Sequence, residues 1–65
     1  MTERQLRYRL RRCGYSLMKR GDCYAILAAS SYAANYPVFG LAAGGTECTA
    51  SFGEVLEWCQ DRGIL

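Results

Sequence analysis

Leu6, Leu10 and Cys13 follow one another at spacings of four and three residues, which places them on one stripe of an α-helix. The pattern predicts a helix over Thr2 to Cys13. Thr2 stands at its start with Gln5 three residues later, a capping-box pair in which each side chain answers the other residue's backbone N–H. Gly14 follows the last turn, where a residue free to adopt positive φ is favoured. Arg11 and Arg12 sit in that last turn, where the helix dipole favours cations.

The period then changes. Tyr15 to Lys19 reads as a strand, Arg20-Gly21-Asp22 as a turn, and Cys23 to Ala28 as a second strand rich in aromatic and branched residues. The two strands form an antiparallel hairpin. Ala29 to Asn35 is a polar and alanine-rich loop. Val38 to Ala42 reads as a third strand. Pro37 before it removes one ladder donor, which suits an edge position. Gly44-Gly45 ends this strand, and Thr46 to Ala50 connects it onward. The second helix is the best-defined element: Ser51 and Glu54 form a capping box, and Phe52, Val55, Leu56 and Cys59 share one face, with Trp58 at its edge. Gly63 and Ile64 fit a Schellman ending.

The order is therefore α-β-β-β-α, a single α+β domain over residues 1–65. Each helix has one narrow apolar stripe, so both are expected on one face of a three-stranded antiparallel sheet. Alternation leaves either Tyr24, Ile26 and Ala28 or Cys23, Ala25 and Leu27 on the other face. Neither set is polar, which points to a covering partner such as a second copy in a homodimer. Composition agrees: 51% of the 65 residues are hydrophobic, in a chain short enough to bury only about 60% of the surface its unfolded form exposes. No apolar run approaches the ~18 residues of a membrane span, and no long apolar segment follows the basic N-terminal stretch as a signal peptide requires. A cytoplasmic protein without membrane contact is the expectation.

Charge changes the picture most. Residues 1–22 hold Arg4, Arg7, Arg9, Arg11, Arg12, Lys19 and Arg20 against Glu3 and Asp22, a net +5; residues 23–65 hold Arg62 against Glu47, Glu54, Glu57 and Asp61, a net −3. On helical geometry Arg4, Arg7 and Arg11 form one ridge with Tyr8 beside it, and Arg9 and Arg12 flank it on the other side. Such crowding of like charge costs helix stability unless an anion answers it. Guanidinium groups meet phosphates bidentately, and Tyr8 can stack on a base. The competing reading is a solvated face whose arginines pair with the acidic second helix, within one chain or between protomers.

Catalytic chemistry finds little support. The four cysteines, Cys13, Cys23, Cys48 and Cys59, include no C-x-x-C pair, and the chain has no histidine; neither a zinc site nor any other metal site is expected. Without an export signal a disulfide framework is not expected either, and the thiols read as small apolar residues. A cysteine nucleophile would have no histidine base. Glu54, Glu57 and Asp61 read as an exposed polar face. Gly44-Gly45-Thr46 lacks the spacing and the lysine of a phosphate-binding loop. No cofactor is expected.

Leu6-x-x-x-Leu10, Gly14-Tyr15-Ser16-Leu17, the basic turn, the strand Tyr24 to Leu27 and the closing Gln60-Asp61-Arg62-Gly63-Ile64-Leu65 together resemble HicA-type toxins. That resemblance implies a double-stranded-RNA-binding-like α-β-β-β-α fold. Those toxins cut RNA with a histidine on the sheet, which this chain lacks, so the activity does not carry over. Gly14-Tyr15-Ser16-Leu17 and Glu54-Val55-Leu56-Glu57-Trp58 also resemble segments of short uncharacterised phage and mobile-element proteins, which implies a mobile-element origin and no activity.

The expectation is a small non-catalytic regulatory or binding module. It would engage RNA or DNA through Arg4, Arg7, Tyr8, Arg11 and Arg12, with Lys19 and Arg20 as a second contact at the hairpin tip. The alternative is a phage or mobile-element inhibitor, for example an anti-CRISPR or other anti-defence protein, that binds a host nuclease complex. Its protein interface would use Tyr24, Ile26, Tyr32, Glu57 and Asp61.

Overall fold

A computed structural model of the chain describes residues 1–28, 36–41 and 47–65. Helix α1 spans Glu3–Arg12, strands β1, β2 and β3 span Tyr15–Arg20, Cys23–Ala28 and Tyr36–Phe39, and helix α2 spans Phe52–Asp61. The strands form an antiparallel sheet in the order β1-β2-β3. The fold is α+β with the element order α-β-β-β-α.

Both predicted capping boxes form. Thr2 accepts from the Gln5 backbone and Gln5 answers the Thr2 N–H; Ser51 and Glu54 do the same at α2. The Schellman ending of α2 is complete, with Gly63 N–H donating to Gln60 and Ile64 N–H to Cys59. This geometry requires Gly63 at φ 73°, a region that favours glycine. At α1 the stripe stops one turn earlier than its spacing predicts. Leu6 and Leu10 are fully buried, whereas Cys13 is the C-cap and is exposed.

The hairpin register pairs Leu17 with Ile26, Lys19 with Tyr24 and Tyr15 with Ala28. Because side chains alternate along a strand, these pairs share the helix-covered face. Leu17, Tyr24 and Ile26 meet Leu6 and Leu10 of α1 and Val55 and Cys59 of α2 in one core. Tyr24 and Ile26, expected as candidates for an exposed interface, are therefore core residues, at 9% and 0% exposure. The opposite face carries Ser16, Met18 and Arg20 against Leu27, Ala25 and Cys23. The turn is shorter than predicted: Arg20 pairs with Cys23, so only Gly21 and Asp22 connect the strands. Gly21 at φ 59° matches the first position of a type II′ turn.

The third strand departs furthest from expectation. It begins at Tyr36, which pairs with Ala28, and ends at Phe39. Ile26 pairs with Phe39 and Leu27 with Pro37, so Val38 is the extra residue of a bulge. Proline is tolerated at such a position because the ladder is interrupted there. Gly40 stops the strand with φ 86°. Its backbone packs so closely that a Cβ there would lie 2.7 Å from the Tyr24 carbonyl oxygen and 3.0 Å from the Ala25 Cα. The apolar run through Leu41 and Ala42 hides this break. Leu41 instead bridges to Cys48, and Ala50 exchanges backbone hydrogen bonds with Tyr24. The predicted connector thus contributes two isolated bridges, one of them onto β2. The predicted loop Ala29 to Asn35, with Tyr32, and the Gly44-Gly45-Thr46 segment lie outside the described residues. None of the described helices is long and apolar enough to cross a membrane.

Candidate functional site

Helix α1 presents three distinct sides. Its inner side is the Leu6/Leu10 stripe. Its β1-facing edge is a polar clamp: Arg7 Nε and Nη2 both donate to Glu3 Oε1, at 3.1 and 2.9 Å, and Arg7 Nη1 donates to the Leu17 carbonyl. The second carboxylate oxygen of Glu3 accepts from Tyr24 Oη at 3.4 Å and from Lys19 Nζ at 3.5 Å. Lys19 also lies over the Tyr24 ring, 5.8 Å from its centroid. The hydrogen bond from Arg7 holds the Glu3 carboxyl below its ordinary value, with the charge of Lys19 acting in the same direction against partial desolvation. Arg7 and Lys19 are thus committed to joining α1 to β1.

The third side faces solvent. Arg4, Tyr8 and Arg12 follow at spacings of four residues, with Arg11 on one margin and Arg9 on the other; all are exposed. Tyr8 is 63% exposed in the middle of this ridge, with the Arg12 guanidinium 5.8 Å from its ring centroid. An open groove runs beside it, bounded by Gln5, Arg9, Cys13 and, from the chain beyond α2, Ile64. Among the described residues, ion pairs within 4.0 Å join only Glu3 to Arg7 and to Lys19. Arg4, Arg9, Arg11 and Arg12 have no carboxylate partner in this set.

The acidic side chains lie elsewhere. Glu54, Glu57 and Asp61 are exposed on α2 and make no ion pair with α1 among the described residues. Arg62, the one base of the second half, sits 4.4 Å from the Trp58 ring centroid. Trp58 in turn packs edge-on against Tyr15 at 5.5 Å and beside Phe39 at 6.0 Å.

The structure therefore brings together Arg4, Tyr8, Arg11 and Arg12 of the predicted nucleic-acid set and adds Arg9 on their margin. It removes Arg7 from the free ridge. Arg20 is exposed, but it shares the face of Met18 and Cys23, away from the helices. The hairpin tip thus does not extend the α1 ridge. The helical angle of Arg7, near that of Glu3, was the available signal for its withdrawal, since Glu3 and Arg7 are an i,i+4 acid–base pair. Tyr36 is also exposed, at 51%, on β3.

Among the described residues no group of three histidine, cysteine or acidic side chains gathers as a metal site. Burial pushes the Cys59 thiol above its ordinary value, and the Cys13 thiol acts in the same direction. No protein-family model matches the chain, and no curated protein and no solved structure matches it either.

Proposed function

We propose that this chain is a non-catalytic binding module that engages nucleic acid through the solvent face of α1. The observation that carries the reading is the set of four arginines, Arg4, Arg9, Arg11 and Arg12, that have no carboxylate partner among the described residues and surround an exposed tyrosine. A ten-residue helix holding this much unanswered charge is destabilised by self-repulsion. Arg9 and Arg12, three residues apart, repel directly. A phosphate backbone relieves that repulsion and releases its own counterions in doing so. Arginine supports this role better than lysine because its planar fork meets two phosphate oxygens at once. The resemblance of the element order to small double-stranded-RNA-binding-like domains is compatible with the reading, although a fold supplies no chemistry by itself.

The test is fluorescence anisotropy with labelled RNA and DNA over a range of salt concentrations. Binding whose logarithm falls linearly with the logarithm of salt supports phosphate neutralisation. Absence of binding at low salt overturns the reading.

A further inference from the structure

We propose that the ligand of the α1 face is single-stranded nucleic acid, with one unpaired base stacked on Tyr8. This rests on the nucleic-acid reading above and goes further in naming the class of strand. Three observations carry it.

Tyr8 lies at the centre of the charged ridge, one turn from Arg4 on one side and from Arg11 and Arg12 on the other. Its 63% exposure leaves a large apolar ring surface in water, with no role in the core. The Arg12 guanidinium lies over the ring. At 5.8 Å from the centroid this contact leaves the ring open to solvent and places a cation beside any base that stacks there. The groove beside the ring has Arg9 on its wall, with Cys13 and Ile64 as less polar lining, which suits a flat base next to a charged phosphate.

The geometry disfavours a duplex as the source of this contact. In a duplex the base faces are stacked on one another, and a protein reaches only their edges from the grooves. An aromatic face gains its full stacking energy only from an unpaired base. Arg4 and Arg12 are eight positions apart, about 12 Å along the helix axis, enough to hold phosphates on both sides of one stacked base. Stacking of this kind tolerates any base, so little sequence preference is expected.

The experiment measures anisotropy of a labelled single-stranded RNA, the same sequence as single-stranded DNA, and the duplex form of each at one low salt concentration. The proteins are the full chain, Tyr8→Ala and Tyr8→Phe, each checked for native circular dichroism. Tighter binding of single strands than of duplexes is expected, with Tyr8→Ala weakening single-strand binding by about tenfold and Tyr8→Phe retaining it. The salt slope of Tyr8→Ala should match that of the unmodified chain, because the phosphate contacts remain. Equal single-strand affinity for Tyr8→Ala, or preference for duplex, overturns the proposal and leaves the nucleic-acid reading standing. No binding of any of the four nucleic acids overturns both.

Discussion

Arg7 reaches Glu3 through two nitrogens and the Leu17 carbonyl through a third, so a residue of the arginine ridge is in fact the fastener between α1 and β1. Charge on α1 therefore divides into a structural part and a free part. Arg7→Gln is expected to lower the melting temperature by a few degrees, since it breaks contacts at a helix–strand seam. It should change nucleic-acid affinity little. Arg4→Gln should do the reverse, with an unchanged or slightly raised melting temperature and weaker binding. Thermal denaturation and anisotropy on the two variants check this.

Acid should loosen the same seam. The Glu3 carboxyl is held below its ordinary value of 4.5, chiefly by Arg7. A carboxyl whose folded value is depressed binds a proton less readily when folded than when unfolded. Its contribution is therefore complete at neutral pH and declines as pH falls below the unfolded value and through the folded one. The melting temperature of the unmodified chain should fall through this acid range, and Glu3→Gln should start lower and fall less steeply. Parallel curves for the two proteins would show that Glu3 does not couple folding to pH.

Gly40 is expected to be the least replaceable glycine among the described residues. Its φ of 86° disfavours any side chain, and an added Cβ would also meet the Tyr24 carbonyl oxygen at 2.7 Å. Gly21→Ala faces backbone strain alone, because nothing lies within 4 Å of its Cβ position. Gly40→Ala should cost more than about 1 kcal/mol, and more than Gly21→Ala. Urea denaturation midpoints of the two variants decide the order.

Thiol chemistry should separate the cysteines by location. Cys13 is exposed, Cys23 is half-buried, and Cys48 and Cys59 are buried. Alkylation under native conditions should modify Cys13 first and Cys59 only when the chain unfolds, because burial raises its thiol and blocks access. Peptide mass mapping after brief alkylation reads the order directly.

Much of the fold was legible because local signals agreed with one another. Both capping boxes, the Ser51 start of α2, the Gly63-Ile64 ending and the span of β2 were readable from residue type and spacing. The misplaced end of β3 has a plain cause, which is that apolar runs do not mark where a strand stops. Gly40 lies inside such a run, and its break depends on a close approach to Tyr24 and Ala25 that only the folded sheet creates. The choice between the two alternating sets of β2 was likewise open until both helices fixed Ile26 inward. At the candidate site, residue types were legible but their allegiance was not. Arg7 and Arg11 share a helical row, yet only Arg7 meets Glu3 and the β1 carbonyl.

The most direct measurement compares salt slopes of nucleic-acid binding for the unmodified chain, the double variant Arg4→Gln/Arg12→Gln, and the double variant Arg7→Gln/Lys19→Gln. The two variants lose the same charge from different places. If the solvent face of α1 holds the phosphates, the first variant loses affinity and its slope falls by roughly one to two, while the second keeps most of both. Equal losses in the two variants, or a larger loss in the second, would contradict a site on the free arginine face.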